Sequence, residues 1–369
     1  MTDVASSPAA PQQSLLPLWT IIAPVIAWLC FGGTVAGLAG PFLVVVALAL
    51  MASVLAAVHH AEVVAHRVGE PFGTLVLALA VTLIEVALIL SLMLASGPDG
   101  AALARDTVFA AVMIILNGMV GLCLLVGGIK HGEQQFDLNG VKAALTTLAA
   151  IVVLTLVLPN YVESLPGPYY NNSQLAFIAV VSLVLYGTFV LIQTVRHRDY
   201  FLAAVGSEHQ EMLAAPPTLK VTLISALLLL ACLAAVVLLA KVLAPTIENA
   251  VDAAGAPKAL VGIIIAAVVL LPEGLAALRA ARNNRLQTSL NLALGSALAS
   301  IGLTIPAVAL LSLVSGLTLT LGLDVHSMVL LVLSLFVSVI ALGTGRTTIL
   351  QGVVMLVLFA VYLFTTVVP

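Results

Sequence analysis

Apolar runs of twenty or more residues, separated by short polar breaks, fill almost the whole chain. A membrane-spanning helix needs roughly 20 mostly apolar residues. That ruler places spans near residues 17–35, 40–64, 70–96, 105–129, 141–160, 173–195, 218–243, 257–281, 286–314, 324–342 and 347–367. The breaks carry turn chemistry: SGPDG at 96–100, HGEQQFDLNG at 131–140, LPGPYYNNS at 165–173 and VDAAGAPK at 251–258. Strand periodicity is absent, which argues against an outer-membrane barrel. The expected fold class is an all-α polytopic membrane protein of about 11 transmembrane helices.

Lysine and arginine orient these spans. Arg67, Lys130, Lys142, Arg196, Arg198, Lys220, Arg279, Arg282, Arg285 and Arg346 fall on the side that holds the N-terminus, against Arg105, Lys241 and Lys258 on the other. A positive-inside bias of that size places the N-terminus in the cytoplasm and the chain in the cell inner membrane.

The longest polar interruption, 196–217, divides the spans into two sets of five with one extra at the N-terminus. Five is odd, so a second half that repeats the first must be inserted upside down. Residues 1–16 are then a disordered tail, 17–39 the extra helix, 40–195 the first five-helix repeat, 196–217 a cytoplasmic linker and 218–369 the second repeat. Gly73 lies twelve residues before Glu85 and Gly262 eleven before Glu273, both in the second span of their half. In the third spans, TVFAAVMIILNGMVGL (107–122) runs alongside TSLNLALGSALASIGL (288–303). Inverted repeats mark alternating-access transporters, whose site lies near the midplane where the repeats meet.

Composition narrows the picture. Of 369 residues, 62% are hydrophobic and 8% charged, where an ordinary soluble domain carries about a quarter charged. Thirteen Lys and Arg against 16 Asp and Glu, without clusters, leave no basic face for nucleic acid. Cys30, Cys123 and Cys232 sit far apart in apolar stretches without CxxC spacing, so buried inert thiols are expected. No cofactor is implied, and no nucleophile–base pair emerges to suggest an enzyme. Oligomeric state leaves no mark on the sequence.

Against this background two acids are conspicuous. Glu85 lies about fifteen residues into its span, ~22 Å at 1.5 Å per residue, and Glu273 takes the equivalent place in the second half. An acid at the centre of a span costs at least about 2.5 kcal/mol on insertion scales, and neither helix offers a basic partner at depth. Protons or metal cations are left to neutralise the pair. Competition of the two for the same oxygens is the minimal physics of an antiporter. Pro272 frees a backbone carbonyl beside Glu273. Thr82, three residues before Glu85 on the same helical face, with Asn117, Ser296 and Ser300 in neighbouring spans, are candidate supporting ligands.

At these residues the chain resembles the calcium/proton exchanger family of the calcium:cation antiporter superfamily, and within it the bacterial calcium/proton (sodium, potassium/proton) antiporters. The family's first motif, G-Q-T-x-G-x-L-L-N-A-T-x-G-N-A-x-E, is matched over Gly69–Glu85 at its first two glycines, a leucine and the glutamate. The second is matched by Pro272-Glu273, the basic segment RAARNNR (279–285) and Gly295-Ser296. The resemblance implies that Glu85 and Glu273 are the ion-binding, proton-competing carboxylates and Ser296 a supporting ligand. The family's Gly-Asn before each glutamate is here Val81-Thr82 and Val269-Leu270, and the glutamine after its Gly-Ser step is Ala299. Lost oxygen donors weaken a tight Ca²⁺ cage and leave room for Na⁺ or K⁺.

The segment His59–His66 reads HxExxxH, not the HExxH of zinc proteases. His59, Glu62 and His66 share a stripe near the cytoplasmic end of their span, either a solvated helix end or a site of proton entry or pH sensing. Glu70, at the mouth of the next span, either attracts cations or answers the helix dipole. The sequence therefore predicts a secondary antiporter that exchanges Ca²⁺ for H⁺ at a two-glutamate site. The alternatives are a monovalent (Na⁺ or K⁺)/H⁺ antiporter using the same site and, in another class, a cation channel.

Overall fold

The computed structural model describes residues 16–69, 72–201 and 217–368. Its helices are α1 (Leu18–Val35), α2 (Phe42–Val68), α3 (Phe72–Ser96), α4 (Leu103–Met113), α5 (Val120–His131), α6 (Leu138–Val152), α7 (Asn172–Leu191), α8 (Leu219–Ala253), α9 (Ala259–Arg282), α10 (Leu286–Ser315), α11 (Val325–Leu342) and α12 (Ile349–Val367). A π-helical turn, Ile114–Met119, joins α4 and α5 into one span. Ten described helical segments are long and apolar enough to cross a membrane, and α3 contributes a shorter apolar stretch, Leu79–Leu94. Helices suit this role because every backbone group is satisfied within the element, as a bilayer requires.

The α4–α5 span and α10 are the most enclosed, whereas α1, α7 and α12 show mostly exposed apolar faces, the pattern of lipid contact. Packing is reciprocal between the halves: α3 lies on α10, and α9 lies on α4 and α5. The helix carrying each central glutamate thus packs on the third span of the other half. Small residues set the closest approaches. A side chain at Gly352 of α12 would begin 2.5 Å from the Leu125 amide nitrogen and 2.9 Å from the Gly121 carbonyl oxygen of α5.

The helices' polar ends form separate contact groups. At one, Lys130 Nζ donates to the Arg282 carbonyl (2.9 Å) and Gln134 Nε2 to Asn284 Oδ1 (2.9 Å). At another, Arg105 Nε donates to Asp106 Oδ1 (2.8 Å), its guanidinium to the Gly322 carbonyl (3.1 Å), and Asn160 Nδ2 to the Leu323 carbonyl (2.7 Å).

Some details depart from the sequence reading. The α8 helix continues to Ala253, past the apolar run that ends at 243, until Gly255 takes a positive φ of 67°. Charge at Glu248 and Asp252 ends a hydropathy run but not a helix, since both residues tolerate helical backbone. Two residues, Gln134–Gln135 (β1), pair antiparallel with Arg346–Thr347 (β2), too short a ladder to leave a periodic signal. The start of the linker docks on α10, with Gln287 Nε2 donating to the Tyr200 carbonyl (3.3 Å) and Asn291 Nδ2 to that of Phe201 (2.5 Å). The rest of the linker (202–216), nearly all of the N-terminal tail and Glu70 lie outside the described residues.

Candidate ion site

Glu85 is enclosed on α3 because its neighbours Ile84, Leu88 and Ile89 are themselves buried in the core. It is 3% exposed and accepts a hydrogen bond of 2.5 Å at Oε1 from the hydroxyl of Ser300, which is 2% exposed on α10. Ser296 lies one turn earlier on the same face of α10 and is half-buried. Thr82 is buried one turn before Glu85. Three of the sequence-predicted residues, Thr82, Glu85 and Ser300, thus share one enclosed region, with Ser296 at its edge.

Glu273 enters from α9, just after Pro272, whose missing N–H cannot serve the Val268 carbonyl. Both Glu273 carboxyl oxygens are buried without a hydrogen-bond partner among the described residues. Its carboxyl lies within electrostatic range of those of Glu85 and Glu62. Two buried carboxylates cannot remain charged together without compensation, because removing each ion from water costs several kcal/mol. Protons neutralise the pair, and so does a cation held between them. That is the chemistry the arrangement offers.

Asn117 stands apart from the two glutamates. It sits in the π-helical turn Ile114–Met119, a deformation frequent at functional sites. Its Nδ2 donates to Ser334 Oγ of α11 (2.8 Å) and approaches Met113 Sδ (3.7 Å), while its Oδ1 is buried and unpartnered. No described contact joins it to Glu85 or Glu273. Ser334 escaped sequence reading because a lone serine in an apolar span has no distinguishing spacing.

The histidine segment lies where α1 meets α2. The His59 ring is 5.9 Å from that of Trp19 and 5.8 Å from that of His60, and a His60 ring nitrogen lies 3.1 Å from the Thr20 carbonyl oxygen. Glu62 and His66 are exposed, and Glu62 is within electrostatic range of His59 and Arg279. His60 was passed over in the sequence because the stripe through His59, Glu62 and His66 leaves it on another face.

The family model for sodium/calcium exchanger proteins matches residues 38–195 and 224–368. Among relatives, the protein y4hA of Sinorhizobium fredii is 49% identical over 97% of this chain and 98% of its own. The sodium-potassium/proton antiporter ChaA of Escherichia coli is 39% identical over 86% of each chain. The structure of native YfkE superposes with a TM-score of 0.71 at 18% identity, covering 95% of this chain and 100% of that one, which shows a shared fold. The structure of the H⁺/Ca²⁺ exchanger CAX gives 0.70 at 17% identity over 94% of this chain and 88% of the other. Matched through both halves and across every span from α2 to α12, the chain belongs to the sodium/calcium exchanger protein family.

Proposed function

We propose that the protein is a secondary antiporter of the inner membrane, exchanging a metal cation for protons by alternating access at Glu85 and Glu273. The observation that carries this reading is the enclosed pair of carboxyls on α3 and α9, one held by a single hydroxyl and the other by none. Cation and protons neutralise the same oxygens, so loading one expels the other. Thr82, Ser296 and Ser300 supply neutral oxygens around the pair, and Asn117 holds a further one, its unpartnered Oδ1, while its Nδ2 donates to Ser334. Glu62, in range of Glu273 and His59, supports a proton route past His59 and His66; Glu70 belongs to the same proposal from its place in the sequence. Lysine and arginine bias supports a cytoplasmic N-terminus.

Na⁺ or K⁺ is the favoured cation. Ca²⁺ asks for six to eight oxygen ligands, and the asparagines that precede the glutamates in the exchanger motif are here Thr82 and Leu270; the 39% identical relative bears the name of a sodium-potassium/proton antiporter. The Ca²⁺ reading draws support from the Ca²⁺/H⁺ antiporters of Aphanothece halophytica and Bacillus subtilis, both 22% identical. Proteoliposomes holding the purified chain test the exchange. An imposed pH gradient should drive Na⁺, K⁺ or Ca²⁺ against its own gradient; dissipation alone would indicate a channel and overturn the antiport reading.

A further inference from the structure

The two glutamates are placed alike but partnered differently. Aligned without gaps, TVFAAVMIILNGMVGL and TSLNLALGSALASIGL set Met119 opposite Ser300 and Ile115 opposite Ser296. Glu85 on α3 meets Ser300 on α10. On the other side, a side chain at Gly274, the residue after Glu273, would begin 3.4 Å from Met119 Cε. Where one half offers a hydroxyl to its glutamate, the corresponding position in the other half is Met119, whose terminal methyl lies beside Gly274. Both carboxyl oxygens of Glu273 are buried without a hydrogen-bond partner among the described residues.

We infer that Met119 is a specificity-determining residue, which withholds a hard oxygen from the Glu273 side and so biases the site against divalent cations. Thioether sulfur is a soft ligand with little affinity for Ca²⁺. A divalent ion must recover a large hydration energy from many oxygens, whereas Na⁺ or K⁺ loses less when one is missing. Buried at 7% exposure, Met119 also keeps bulk water from standing in for the absent ligand. Asymmetry between the halves, rather than the glutamates themselves, then sets which cation is retained.

The inference rests on the two-glutamate reading, and the experiment separates their failures. Ca²⁺ and Na⁺ binding to the purified full chain is measured by calorimetry in detergent, with proton-coupled flux measured in proteoliposomes from the same preparation. Met119→Ser and Met119→Thr should raise Ca²⁺ affinity relative to Na⁺ on the order of tenfold, the scale at which outer ligand partners act. Met119→Leu, apolar and of similar volume, should keep the wild-type ratio. Unchanged ratios in folded Ser and Thr variants would overturn the assignment, as would an equal shift in the Leu variant. Loss of folding in both polar variants would also overturn it, by making Met119 a packing residue. Ion binding without proton coupling in the wild type would instead overturn the antiport reading.

Discussion

Ser300→Ala isolates the one hydrogen bond that the site's carboxyls are seen to accept from another side chain. The donor–acceptor distance is 2.5 Å, and Ser300 and Glu85 are 2% and 3% exposed, so water has no ready path to replace the hydroxyl. A hydrogen bond to a charged group contributes about 1.5–3 kcal/mol. At about 1.4 kcal/mol per factor of ten, its loss corresponds to roughly 10- to 150-fold. In the proposed exchange the cation is held by ionised Glu85, the form that the hydroxyl favours. Half-saturating cation concentration in proteoliposomes at fixed pH should therefore rise by that factor. Serine and alanine differ by one oxygen atom, so little packing is lost. Ser300→Thr keeps the hydroxyl and should recover most of the affinity. Wild-type half-saturation in a folded Ser300→Ala protein would refute the reasoning.

Other outcomes are expected elsewhere. Glu85→Gln and Glu273→Gln should each abolish coupled exchange, while size-exclusion profiles and helical content show intact insertion; exchange persisting in either would break the two-carboxylate reading. Gly352→Ala forces α12 from the Leu125 and Gly121 backbone, and a thermal melt should report a loss of about 1–3 kcal/mol. Asp324 caps α11 by accepting from the Ser327 amide (2.9 Å) and hydroxyl (2.8 Å), so Asp324→Ala should cost about 1 kcal/mol. Burial works against ionised Asp324, but these hydrogen bonds outweigh it and hold the carboxyl below its ordinary value. Its contribution is therefore complete above the ordinary carboxylate range and fades as the pH falls through the folded value. Asp324→Asn should flatten that acid limb in a stability–pH profile.

Much of the architecture was legible in the sequence because the bilayer imposes a one-dimensional rule. Any stretch within it must be long and apolar and satisfy its own backbone, so span positions followed from hydropathy alone. The same rule made Glu85 and Glu273 visible, since a charged group at depth is too costly to be casual. Where the rule loosens, reading failed. The α8 helix ran on beyond the apolar stretch, and the two-residue ladder between Gln134–Gln135 and Arg346–Thr347 left no trace. Partnership was decided only in three dimensions. Nothing local to Ser300 distinguishes it from Ser296, yet only Ser300 is seen donating to a glutamate, because the crossing of α3 and α10 fixes which turn faces inward. Asn117 looked equally eligible and turned to Ser334 instead. Sequence thus determined which residues were too expensive to leave unexplained, a matter of burial cost along one helix. Helix packing determined which of them meet, because a hydrogen bond depends on the relative rotation of two helices and neither helix encodes that alone.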